Sequence, residues 1–204
     1  MLHSQLLMKA TLRQFKQIFV IVCLLGNTGL TYAQYKSAQL PKPAKDFVHI
    51  AADANVIFTP PEGFKEISPI NNEDLNYDYG MALPGKLEIW FSVMPYKYTS
   101  KSFSQPDSAY LNLSKMQVSA FSSDNDYFTR SLTAKVLVQY NADHGKSYLL
   151  NLNDSPFTRH YKYALILALQ KDHIATVLAV CLTNDKGPEL FKSMDKARNC
   201  LKFK

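Results

Sequence analysis

The sequence predicts an α+β fold, a mostly antiparallel sheet flanked by helices, on three observations. Leu75 to Pro95 alternates apolar with polar or small side chains on either side of Pro84-Gly85-Lys86, the pattern of a hairpin. Two long apolar runs, Tyr161 to Leu169 and Ile174 to Leu182, turn about Lys171-Asp172. Ala164 to Leu169 holds no polar residue, so this strand is expected to be covered on both faces. Two segments with helical spacing, Pro106 to about Ala120 and Pro188 to about Leu201, supply that cover.

Ahead of the folded body, Lys9, Arg13 and Lys16 precede the apolar run Ile18 to Leu25, followed by Gly26 to Gly29 and the small-residue exit Thr31-Tyr32-Ala33. This is the layout of a secretory signal peptide over residues 1–33, with cleavage between Ala33 and Gln34. Initiation at Met1 or Met8 leaves the same mature chain. The apolar core falls far short of the roughly 20 residues that span a bilayer, so no membrane anchor is expected after cleavage. Cleavage leaves 171 residues (204 − 33), enough to bury a core without a metal or a disulfide. It also lowers the net charge from +6 to +3 by removing Lys9, Arg13 and Lys16, too mild a balance for a nucleic-acid partner. Cys23 follows Val20-Ile21-Val22 rather than a small residue, against lipid attachment there.

Residues 34–45, polar and stiffened by Pro41 and Pro43, read as a tether, and residues 46–204 as one domain. Within it, Phe47 to Ala51 and Val56 to Thr59 are expected as short strands about Asp53-Ala54-Asn55. Pro60-Pro61-Glu62-Gly63-Phe64 must leave the sheet, because proline has no N–H for a ladder. The three-residue turn at Pro84 to Lys86 predicts the pairs Met81 with Ile89, Tyr79 with Phe91 and Tyr77 with Val93, all on one face. The first helix should bury Ala109, Leu113, Met116 and Ala120. Strands are expected at Leu132 to Gln139 and Lys146 to Asn151, then the two long apolar strands. The last helix should bury Leu190, Phe191, Met194, Ala197 and Leu201, with Lys192, Lys196, Arg198, Lys202 and Lys204 on its other side.

No catalytic set emerges. There is no Gly-x-Ser-x-Gly, no phosphate-binding glycine loop, and no histidine with a partner at metal-ligand spacing. Asp124-Asn125-Asp126 lacks the Gly and Glu that complete a calcium loop. The carboxylate pairs Glu73 with Asp74 and Asp78 with Glu88 would be needed for an envelope hydrolase, but a solvated face explains them more simply. No cofactor and no metal are expected.

Two constellations stay open. Cys181 and Cys200, an even number in an oxidising compartment, are a candidate disulfide. A strand ending near Thr183 and a helix starting near Pro188 set them at levels differing by roughly 10 Å, against the about 7 Å that bridging allows between Cα atoms. Trp90 stands opposite Gly80 and away from the Tyr77 to Val93 set. It is either core under a helix or, with Met94, Tyr96 and Tyr98, an exposed aromatic patch for a partner protein.

The order of elements from Pro60-Pro61-Glu62-Gly63-Phe64 to Cys200-Leu201-Lys202-Phe203 resembles the PsbP/Mog/DcrB-like superfamily over about Val56 to Phe203, with Phe64 where many relatives have Trp. The resemblance implies an antiparallel sheet between helices in an α/β/α sandwich, and a non-enzymatic accessory role. The expectation is a soluble exported, periplasmic or extracellular protein that binds another protein. A narrower alternative is an immunity protein that neutralises a periplasm-acting type VI secretion toxin.

Overall fold

A computed structural model describes residues 44–71, 75–97, 108–122, 127–185 and 187–204. The signal segment with Ala33 and Gln34, tether residues 34–43, Glu73, Asp74, Tyr98, Pro106 and Asp124 to Asp126 lie outside them.

The elements run α1 (Ala44–Asp53), β1 (Val56–Phe58), β2 (Lys65–Ile67), β3 (Tyr79–Leu83), β4 (Leu87–Pro95), α2 (Ala109–Phe121), β5 (Tyr127–Ser131), α3 (Ala134–Tyr140), β6 (His144–Asn151), β7 (Tyr163–Lys171), β8 (Ala175–Thr183), α4 (Pro188–Asp195) and β9 (Leu201–Phe203). Seven strands form one sheet in the order β2-β3-β4-β8-β7-β6-β5, every pair antiparallel, and β1 pairs with β9 in a separate two-stranded ribbon. The α+β class read from the sequence is the class observed.

The hairpin register is the expected one: Tyr79 faces Phe91, Met81 faces Ile89 and Gly80 faces Trp90. Gly85, at φ 71°, makes the turn that side chains resist. Tyr77 departs from the expected set. The Asp78 amide donates to the Phe91 carbonyl (2.7 Å), but the Val93 amide donates to the Asp78 carboxylate (2.9 Å) instead of to a strand carbonyl. This side-chain substitution ends the ladder and turns Tyr77 to the other face, edge-on to Trp90 at 5.1 Å.

The sheet's two faces carry separate cores. On one face Trp90, Leu178, Val180, Leu182, Ala164 and Ile166 pack under α2 and the 152–162 loop. Trp90 is fully buried, so it is core and belongs to no exposed patch. Gly80 opposite it is required, because a Cβ there would stand 2.9 Å from the carbonyl oxygen of Ile67, its partner on β2. Glu88, 8% exposed, accepts from Trp90 Nε1 (3.1 Å) and from Arg159 (3.0 Å), whose second nitrogen donates to the Ser68 carbonyl. The Arg159 guanidinium also lies over the Trp90 ring at 5.8 Å. Asp78 and Glu88 therefore serve separate structural bonds and form no acid–base pair.

On the opposite face Phe47, Phe58, Tyr79 and Phe91 make an aromatic knot, with Phe47 stacked on Tyr79 at 5.0 Å. The cover here is α1, the β1–β9 ribbon, α3 and α4. Phe47 to Ala51, expected as a strand, belongs to helix α1, because Phe47 and Ala51, one turn apart, both insert fully into this knot. Leu132 to Gln139 is likewise not a strand. Helix α3 occupies most of it, ended by Asn141 in the left-handed conformation, and the strand falls earlier, at β5. Helix α4 stops at Asp195, and the expected helical end becomes β9, which satisfies its backbone on β1. The basic helix face dissolves accordingly: Lys192 and Arg198 pair with Glu189 (3.9 Å) and Asp195 (3.2 Å), and Lys202 sits on β9. Phe191 points outward, 61% exposed. In α2 the buried stripe is Ala109, Ser114, Gln117, Val118 and Phe121, not Met116 and Ala120, because Ser114 faces the Tyr148 hydroxyl at 2.9 Å.

Trp90→Ala should cost about 3–5 kcal/mol, read as a lower urea midpoint by circular dichroism. Arg159→Ala should cost about 3 kcal/mol, the low end for breaking a buried pair since Arg159 is a third exposed. Trp90, the single tryptophan, should then emit at longer wavelength in the folded state.

Candidate functional site

Strand β7 was expected to be buried on both faces, and it is not. Ala164, Ile166 and Ala168 are fully buried toward α2, whereas Leu165 and Leu167 on the other face are half-buried. Cross-strand neighbours share a face, so the register sets out the row Phe128, Leu149, Leu165, Cys181 across β5, β6, β7 and β8. Burial along this row grades from Phe128, 70% exposed, through half-buried Leu149 and Leu165 to Cys181, 3% exposed. The parallel row is Arg130, Ser147, Leu167, Ala179. Among the described residues, the cover that closes β3, β4 and β8 thins toward the β5 edge and leaves an apolar face with Arg130 at its margin.

Where the cover begins, a cavity of about 60 Å³ lies between the sheet and the chain from α4 to β9, lined by Leu165, Leu167, Cys181, Met194, Arg198 and Cys200 among others. Pockets that take drug-sized ligands measure about 300–1,000 Å³. The volume here suits part of one side chain. The candidate disulfide residues meet at this cavity as two free, buried thiols rather than as a bridge. Burial pushes each thiol up to about 12. Neither is thus a nucleophile at neutral pH.

A second cluster gathers at the β7–β8 turn. His144 Nε2 lies 3.1 Å from Asp172, and the Tyr110 ring stacks on the imidazole at 5.9 Å. Lys171 Nζ and the Asp172 amide donate to Asp143 at 2.9 and 3.0 Å. Desolvation opposes ionisation of Asp143, but the Lys171 ammonium and the Asp172 amide outweigh it and hold the carboxyl below its ordinary value of 3.8. Tyr96 joins this end through His173, ring to ring at 5.2 Å, and Met94 is half-buried on the last part of β4. The structure therefore does not bring Met94 and Tyr96 together with Trp90. Among the described residues, no nucleophile is bonded to the His144–Asp172 pair. Among the described residues, no group of three His, Cys, Asp or Glu could hold a metal ion.

Sequence reasoning missed Phe128, Arg130 and Leu149. Tyr127-Phe128-Thr129-Arg130-Ser131 shows no clean alternation, because an edge strand with an open face need not alternate. The usable signal was Leu165 and Leu167 in an apolar run longer than the predicted helices could cover.

Among the described residues, no helix is long and apolar enough to cross a membrane. No family model and no curated protein matches the chain. Among solved structures, the chain is similar to the cyanobacterial PsbP (CyanoP) solution structure from Synechocystis sp. PCC 6803. The identity is 13%, covering 74% of this chain and 88% of that one, with a TM-score of 0.37.

Native protein should resist alkylation at Cys181 and Cys200 at pH 8, with both reacting on unfolding, and its mass should not change on reduction. Asp143 adds stability that is present above the unfolded carboxylate pKa and is lost as pH falls through its lowered folded value. Asp143→Asn should therefore lower the neutral midpoint and flatten the acid limb, so that the two profiles converge as pH falls below about 4.

Proposed function

We propose that the chain is an exported accessory protein that binds another protein through the open β5–β7 face. The observation that carries this reading is the graded apolar row from Phe128 to Cys181, which the fold leaves uncovered on one side only. Burying Phe128 against a partner contributes roughly 1.5–3 kcal/mol, the magnitude of an interface anchor. Contiguous exposed apolar surface with a polar rim is typical of interaction sites. Export is supported by the pattern Lys9 to Gln34, and the element order that resembles PsbP/Mog/DcrB-like proteins agrees with a binding role.

Placing a photoreactive benzoylphenylalanine at position 128 should crosslink one envelope protein. Placing it at Met116, half-exposed on the opposite layer, should not. Phe128→Asp should weaken capture at least tenfold without changing the unfolding midpoint. Equal crosslinking from both positions overturns the reading. Mass spectrometry of the captured band decides between an envelope assembly partner and a periplasm-acting toxin, the latter making the chain an immunity protein. Amino-terminal sequencing of the exported form should begin at Gln34.

A further inference from the structure

The sheet has three stretches of edge, and two are guarded. Edge strand β2 is three residues long, with charged Lys65 and Glu66, and Glu66 is engaged by the Ala44 amide at 2.7 Å. The last part of β4 extends beyond β3, but there the Asp78 carboxylate occupies the Val93 amide, and Pro95, the next residue facing that side, has no N–H. Short charged edges, inward carboxylates and prolines are how sheets refuse further strands. Edge strand β5 carries neither proline nor carboxylate, and its one charge is Arg130. It runs five residues without proline, from half-buried Tyr127 through exposed Phe128, Thr129, Arg130 and Ser131.

Its hydrogen-bond phase follows from the Leu132 amide, which donates to the Gly145 carbonyl at 3.0 Å in the β5–β6 register. Backbone groups of Phe128 and Arg130 therefore point to β6, and those of Tyr127, Thr129 and Ser131 point outward. Among the described residues no strand pairs with that side. Phe128 and Arg130 share the open apolar face, and Tyr127 to Tyr140 carries Arg130 and Lys135 with no carboxylate.

We infer that an extended segment of the partner adds to β5 as an eighth strand of this sheet, through the Thr129 and Ser131 amides and carbonyls. The segment places an apolar residue beside Phe128 and a carboxylate two positions away beside Arg130. This rests on the binding face proposed above and adds the mode and the chemistry. Main-chain pairing supplies register, and alternate side chains supply selectivity. A second copy of this chain fits less well, since it would bring Arg130 and Lys135 of both copies to one seam.

The test uses a dye-labelled peptide of repeated Glu-Thr-Val-Thr and its Lys-Thr-Val-Thr counterpart, titrated against the mature chain by fluorescence anisotropy. The proposal requires saturable binding of the glutamate peptide, at least tenfold tighter than the lysine one, and a reversed preference in Arg130→Glu. Thr129→Pro, which removes the outward N–H together with the hydroxyl's bond to the Ser147 carbonyl at 3.2 Å, should abolish it while leaving the chain folded. Should that variant fail to fold, hydrogen exchange on the wild type decides, with the Thr129 and Ser131 amides protected by the peptide. No binding, equal affinity for both peptides, or unprotected amides overturns the proposal, as does a concentration-dependent dimer that Thr129→Pro dissolves. If Phe128→Asp loses the crosslinked partner but Thr129→Pro does not, strand addition falls and the binding face stands.

Discussion

Strands β4, β8 and β7 carry apolar side chains on both faces, so neither side of the sheet can be left to water along its centre. Burying both sides requires two layers of cover, and the helices among the described residues are short. Helix α2 with the 152–162 loop closes one side along its centre. The other side is closed by a patchwork of α1, the β1–β9 ribbon, α3 and α4, which reaches β8 but thins over β7 and β6. Unequal cover of one two-faced sheet sets both where the molecule is rigid and where it is open.

The closed side is held by a polar clamp. Arg159 supplies the counter-charge to Glu88 beside Trp90, and it reaches there from a loop held in place by its own bonds. Arg159 and His160 both have positive φ, at 51° and 61°, and the His160 amide donates to the Ser155 carbonyl at 3.0 Å. Left-handed backbone at two successive non-glycine residues is costly and persists only where surrounding contacts over-determine it. Here the ion pair and the cation–π contact over Trp90 supply that determination, and a residue that sequence alone marks as a candidate contact becomes the centre of a core.

How much was legible depended on whether local pattern and tertiary need agreed. The β3–β4 register was legible because Tyr79, Met81, Ile89 and Phe91 alternate around a turn that tolerates one loop length. Phe47 to Ala51 misled because its β-like residues are placed by an aromatic knot assembled from four distant segments. Val136 and Val138 likewise argue for a strand, yet Asn141 caps a helix there, its amide group donating to the Phe203 and Lys204 carbonyls at 3.3 and 2.9 Å. The open β5–β7 face was the least legible part, because it is defined by what the other described residues leave uncovered.

Local pattern in the sequence settles the α+β class, the hairpin and its Tyr79–Phe91 register, and the two long central strands. Each is written in contiguous residues whose periodicity or order has one physical solution. Only the tertiary structure decided that Trp90 is core, that the cysteines are separate thiols beside a small cavity, and that Phe128 and Arg130 lie at an unguarded edge. These depend on which distant segment covers which face, and residual exposure is a property of the packed layers that no local pattern encodes.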